Sequence, residues 1–242
     1  MKMAKVMMVS SLSTALWSTC AGQAAKPHVS SDDAVVSVHD LPLPHKAARE
    51  FEKGTQLLLK GDAQGSLAYF LKAVEEAPSS YRPYHNLGLA YYNVGQLDAA
   101  AQNFQKAIDL TSGRFAPSMF GLAVILYRQS EFVDAEKLIR EGLLLQPGSA
   151  PGKYCLGLVQ LSLGRINDAE QSAVDALALD AGETDAYVLL GRIHEAKHNP
   201  TAELADAQNY LRLSPKGVLR PAALDLVRHA QQALETRSAA LN

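Results

Sequence analysis

From Ala47 onward the chain repeats one pattern of apolar and polar positions. Leu87, Tyr91 and Val94 recur at spacings of four and three, which gathers them on one face of an α-helix. Gly95-Gln96 interrupts that run. Ala100, Phe104 and Ala107 then recur with the same periodicity and mark a second amphipathic helix. Two such helices joined by a tight turn form a helical hairpin. The small residues Gly88, Ala100 and Ala107 let the two backbones approach where the helices cross. A single hairpin leaves apolar surface uncovered, so the pattern demands stacked neighbours.

The punctuation supplies those neighbours. Gly54 and Gly88 lie 34 residues apart, and so do Gly157 and Gly191. Between the pairs, Ala123 takes the equivalent place, with a one-residue insertion near Arg114-Phe115. A fixed period of this size indicates stacked supersecondary units. The unit around Tyr84, Leu87, Gly88, Tyr91, Gly95, Ala100, Phe104 and Ala107 resembles the tetratricopeptide repeat, or TPR. Partial copies follow the same register: Gly54, Leu57, Gly61, Phe70, Ala73 and Pro78; Leu122, Ala123, Leu126, Ala135, Ile139, Gly142 and Pro147; Leu156, Gly157, Gly164, Ala169 and Ala176; Tyr187, Leu190, Gly191 and Pro215. In the last copy Glu203 and Tyr210 stand where small residues are usual.

The fold expected from this resemblance is all-α: an α-solenoid of five TPR hairpins with units at 47–80, 81–114, 116–149, 150–183 and 184–217. Residues 218–242 read as a capping helix and tail, with Ala222, Leu226, Ala230 and Ala233 as the apolar stripe.

The resemblance also implies a function. In TPR proteins the first helix of each hairpin lines a concave groove that takes a protein or peptide partner. Carried over by register, the groove positions are His85, the neighbouring Asn86, Tyr92, Asn93, Phe120, Val124, Tyr127, Arg128, Tyr154 and Leu158, flanked by Phe51, Leu58, Arg192 and Glu195. Aromatic anchors with a few polar groups suit peptide recognition, because a rigid ring buries area at small entropic cost. The Lys/Asn/Arg clamp with which some family members hold a C-terminal carboxylate has one counterpart here, Asn86; Phe51, Thr55, Phe120 and Val124 stand at its other places.

Composition narrows the setting. Charged residues make up 20% and the net charge is −2, which gives no support for nucleic-acid binding. Lys2 and Lys5 precede a mostly apolar stretch from Val6 to Thr19, and Gly22-Gln23-Ala24 offers small residues for cleavage, so residues 1–24 read as an export signal. Export places the protein in the periplasm or outside the cell. The apolar stretch is too short and too polar for a membrane span. Residues 25–46 form an extended linker, polar at Ser30–Asp33, β-favouring at Ala34–Val38 and broken by Pro42 and Pro44. Trp17-Ser18-Thr19-Cys20 resembles a lipoprotein signal in which Cys20 is lipidated, as in pilotin lipoproteins. Cleavage beyond Cys20 leaves Cys155 alone, unable to form an internal disulfide; among apolar neighbours it reads as a small buried hydrophobe.

One motif points to chemistry. His194-Glu195-Ala196-Lys197-His198 matches H-E-x-x-H, which on a helix sets two imidazoles one turn apart to hold zinc beside a water-activating Glu. The register argues otherwise: His194 takes the inter-helix slot of Tyr91, and His198 falls in the turn before Asn199-Pro200. No phosphate loop, G-x-S-x-G or C-x-x-C is present. The expectation is a non-catalytic scaffold without a metal or cofactor, with a zinc hydrolase as the contrasting alternative.

Overall fold

A computed structural model describes residues 42–240. The proposed signal and most of the linker, including Cys20, lie outside the described residues. Within them the chain forms eleven α-helices: α1 His45–Leu59, α2 Ala63–Glu76, α3 Tyr81–Asn93, α4 Leu97–Leu110, α5 Ala116–Arg128, α6 Phe132–Leu145, α7 Ala150–Ser162, α8 Ile166–Leu179, α9 Asp185–Ala196, α10 Pro200–Leu213 and α11 Arg220–Ala240. They pair as five antiparallel hairpins, α1–α2 to α9–α10, each stacked on the next, and α11 packs on the last.

Each hairpin turns in the same way. The residue after the first helix's C-cap takes a positive φ: Gly61 83°, Gly95 81°, Ser130 66°, Gly164 78° and His198 55°. The next N–H then reaches back to the helix's last turn. Asp62 donates to Leu57 O, Gln96 to Tyr91 O, Glu131 to Leu126 O, Arg165 to Gln160 O and Asn199 to His194 O, all at 2.9 Å. This left-handed cap satisfies carbonyls that the helix end would orphan. Side-chain caps start three of the helices. Asp62 accepts from the Gly65 N–H at 2.7 Å, Ser149 from Gly152 at 3.1 Å and Asn199 from Ala202 at 3.3 Å.

Helix crossings are built from a small residue under a large one. A Cβ on Gly54 would stand 2.8 Å from the Phe70 ring, and one on Gly88 2.8 Å from the Phe104 ring. A Cβ on Gly121 would likewise stand 2.9 Å from the Phe104 ring, which joins the second hairpin to the third. Farther along, a Cβ on Gly157 would stand 2.9 Å from Leu189, and one on Gly191 2.8 Å from Leu226 of α11. The C-terminal helix thus occupies the place that a sixth hairpin would fill. Its buried stripe is Ala223, Leu226 and Ala230, with Ala222 and Ala233 at the margins.

The contacts also set the curvature. The first helices α1, α3, α5, α7 and α9 each touch the next in the series, whereas successive second helices make no comparable contact. The first helices therefore form the inner layer and the second helices splay outward. Between α4 and α6 the splay opens a groove of about 690 Å³, floored by Leu122 and Leu126 of α5.

Candidate functional site: the inner face and the fifth hairpin

The inner layer carries a row of side chains joined from one hairpin to the next. Asn86 on α3 donates its Nδ2–H to Thr55 Oγ1 on α1 at 3.1 Å. The Arg128 guanidinium of α5 lies 5.4 Å above the centroid of Tyr92 on α3, a cation–π distance. The Ser162 hydroxyl of α7 lies 3.3 Å from the Tyr127 hydroxyl of α5. Burial raises the pKa of both tyrosines above the usual phenol value; Arg128 opposes this at Tyr92 and Ser162 at Tyr127. Both phenols therefore stay protonated at neutral pH. Thr55 and Ser162 supply half of two of these contacts, yet as single hydroxyl residues they give little sequence signal.

The ten residues assigned by register divide into three groups. Asn93 is exposed, and Asn86 and Arg128 are half-buried. Tyr92, Val124, Tyr127 and Leu158 are on the first helices and buried; Val124, Tyr127 and Leu158 meet Ala123, Cys155 and Val159 in one apolar seam. His85, Phe120 and Tyr154 are held between hairpins. Cβ atoms on Gly142 and Gly152 would stand 2.6 Å and 2.8 Å from the Phe120 ring, so Phe120 is the wedge between the third and fourth hairpins. His85 packs against Phe104 and edge-on against Phe115, with Nδ1 2.9 Å from Ser118 Oγ. Burial lowers its pKa to about 3, so the ring is neutral. Tyr154 is 1% exposed. Burial foremost, then Asp185 and Glu183, pushes its hydroxyl well above the usual range.

Acidic side chains neighbour Tyr154 at the joint between the fourth and fifth hairpins. Glu183 is 4% exposed, and its Oε1 has no hydrogen-bond partner among the described residues. Burial, then Asp185 and Asp180, raises its carboxyl to about 7. Burial likewise raises Asp185 to about 6.

The H-E-x-x-H residues separate. His194 Nδ1 lies 2.6 Å from Asp206 Oδ2 on α10, and its Nε2 lies 3.2 Å from Glu170 Oε1 on α8. Lys197 also pairs with Glu170. Both imidazole nitrogens are thus engaged by carboxylates, tying α9 to α8 and α10. His198 is exposed and has left the helix at φ 55°. Glu195 accepts from Arg192 at 3.0 Å. The motif's residues serve three separate local contacts, and the structure does not gather the two histidines around one point.

Known proteins share this architecture. A family model described as "Tetratricopeptide repeat" matches residues 85–151 and 154–218. Tetratricopeptide repeat protein 16 of Mus musculus is 24% identical over 207 residues, which is 81% of this chain and 26% of that protein. The chain thus spans about a quarter of that curated relative. Among solved structures, TTC0263, a thermophilic TPR protein of Thermus thermophilus, superposes with TM-score 0.64 at 24% identity, over 78% of this chain and 98% of that one. The pilF protein of Pseudomonas aeruginosa superposes with TM-score 0.63 at 16% identity, over 79% and 91% of the two chains. At these identities the superpositions speak for the fold alone.

Proposed function

Since the chain belongs to the tetratricopeptide-repeat family, we propose that this array is a protein–protein interaction scaffold that takes a segment of a partner along its inner face. The observation carrying this reading is the linked row Thr55–Asn86, Tyr92–Arg128 and Tyr127–Ser162, which gives that face both fixed rings and hydrogen-bonding groups. Ordering a ring or a guanidinium in advance reduces the entropy that binding must overcome. The exposed Asn93 and half-buried Asn86 and Arg128 contact the partner first; Tyr92, Val124, Tyr127 and Leu158 form the apolar ground beneath them. His85, Phe120 and Tyr154 hold the hairpins at the angle that presents this row. The reading assigns the chain no chemistry of its own.

The proposal places the scaffold in the cell envelope. The support is the pattern of residues 1–24, with its basic start, apolar stretch and small residues before the linker. In a variant of this reading, lipidated Cys20 holds the array at a membrane, in the manner of a pilotin lipoprotein. The mass of the mature chain separates processing near Ala24 from lipidation at Cys20.

Affinity capture after cross-linking in native envelope extract tests the binding proposal. Wild type is compared with Asn93→Ala/Arg128→Ala, after circular dichroism shows equal helicity. A defined partner held by wild type and lost by the double variant is expected. A partner held equally by both would place binding off the inner face.

A further inference from the structure

We infer that Glu195, Glu203 and His229 form a site for a divalent transition-metal ion of the zinc type, fastening the C-terminal helix to the fifth hairpin. The three residues come from α9, α10 and α11, and one ligand atom of each lies within 4.8 Å of the other two. It is the group of three metal-ligating side chains that converges in this way among the described residues.

The anchor is Glu203, which is 1% exposed. In the other hairpins the same register position holds Ser66, Ala100, Ala135 or Ala169, each completely buried. A small residue is what helix crossing alone requires there. The fifth hairpin instead buries a carboxylate, which is costly unless a cation or hydrogen-bond donors meet it. His229 meets it in part, with Nδ1 2.8 Å from Glu203 Oε1. Burial is the largest influence on this carboxyl and raises its pKa, with Glu195 adding to the rise and His229 and Arg192 opposing it.

Glu195 brings a second carboxylate, paired with Arg192 at 3.0 Å. Two carboxylates thus face one guanidinium and one imidazole. One imidazole nitrogen and two carboxylate oxygens are a donor set that zinc accepts, with water completing the coordination. Bonds of about 2 Å in a tetrahedron set ligand atoms about 3.3 Å apart. Reaching that value requires Glu195 to turn from Arg192 toward Glu203. The His229 side chain is 52% exposed, which gives the ion a route from solvent. In the bound form the His229 ring carries its single hydrogen on Nε2 and offers the Nδ1 lone pair to the metal.

The test uses the full chain, stripped by chelation and titrated with Zn2+ by calorimetry. Thermal unfolding and the visible absorption of added Co2+ are followed in parallel. One ion per chain and a higher melting midpoint are expected. Glu195→Gln and His229→Ala should each weaken binding by about tenfold or more and abolish the gain in midpoint. Both substitutions leave the buried Glu203 in place, and circular dichroism checks the fold. Absence of uptake by wild type overturns the site, as does uptake unchanged in both variants. Uptake lost in His194→Ala or His198→Ala but kept in His229→Ala would move the metal to the H-E-x-x-H motif and also overturn it.

Discussion

The ring of Phe104 fills the space that a Cβ on Gly88 would need, with Cε1 2.8 Å away. The ring has little room to retreat, because it is fully buried and a Cβ on Gly121 of the next hairpin would also stand 2.9 Å from it. Alanine would gain about 1 kcal/mol in helix propensity, but overpacking a confined ring costs about 1–3 kcal/mol. Gly88→Ala should therefore lower stability in denaturant unfolding. Gly148→Ala is the control, because nothing lies within 4 Å of a Cβ there; it should be neutral or slightly stabilising.

Glu183 should make stability depend on pH. Its folded pKa of about 7 lies above the ordinary 4.5. The stability it favours is fully present below pH 4.5 and lost as pH rises through 7. Asp185 acts in the same sense between 3.8 and about 6. His85 opposes both: its folded value of about 3 lies below 6.5, so its contribution is held above pH 6.5 and lost as pH falls toward 3. The wild-type profile thus mixes opposing slopes, and the Glu183→Gln difference isolates one of them. Glu183→Gln should stabilise by about 2–3 kcal/mol at pH 8 and by far less near pH 4.5. Equal effects at both pH values would contradict the buried-carboxylate account.

His198 occupies a turn position that is glycine in three of the five hairpins, at φ 55°. Replacing it with glycine should relieve left-handed strain and stabilise by about 0.5–1 kcal/mol. Thermal unfolding of His198→Gly checks this. A zinc hydrolase built on H-E-x-x-H would lose its metal in the same variant, so an unchanged metal content would count against that alternative.

Removal of Arg220 onward should uncover Gly191 and the cluster formed by Val188, Ala207 and Tyr210, which Leu219, Ala223 and Leu226 complete. The Tyr210 hydroxyl also accepts the Leu219 N–H at 2.9 Å, a contact anchored by the segment leading into α11. The truncated chain should melt lower and associate with rising concentration in light scattering. A monomer with an unchanged midpoint would contradict the cap.

Much of this fold is legible in the sequence because each repeat announces itself through single residues with one physical job. Gly88 under Phe104 and Gly95 in its left-handed turn need no knowledge of their neighbours in space. His198 is also legible as a turn residue, since Asn199-Pro200 stops the helix. The division of the aromatic residues is not. Tyr92 and Phe120 both read as inner-face positions, yet Phe120 wedges two hairpins apart against Gly142 and Gly152, while Tyr92 stacks under Arg128. Which happens depends on the rotation between hairpins, which helical periodicity does not encode. The partner of Glu203 is equally hidden, because His229 reaches it from 26 residues away on another helix.

The most direct measurement is site-specific photo-cross-linking in the native envelope, with the reactive residue placed at exposed Asn93 on the inner layer or at Gln105 beside the outer groove. A single partner captured from position 93 and absent from position 105 is the result that the inner-face scaffold predicts. The same partner captured from position 105 alone would contradict it and move the binding surface to the splayed second helices.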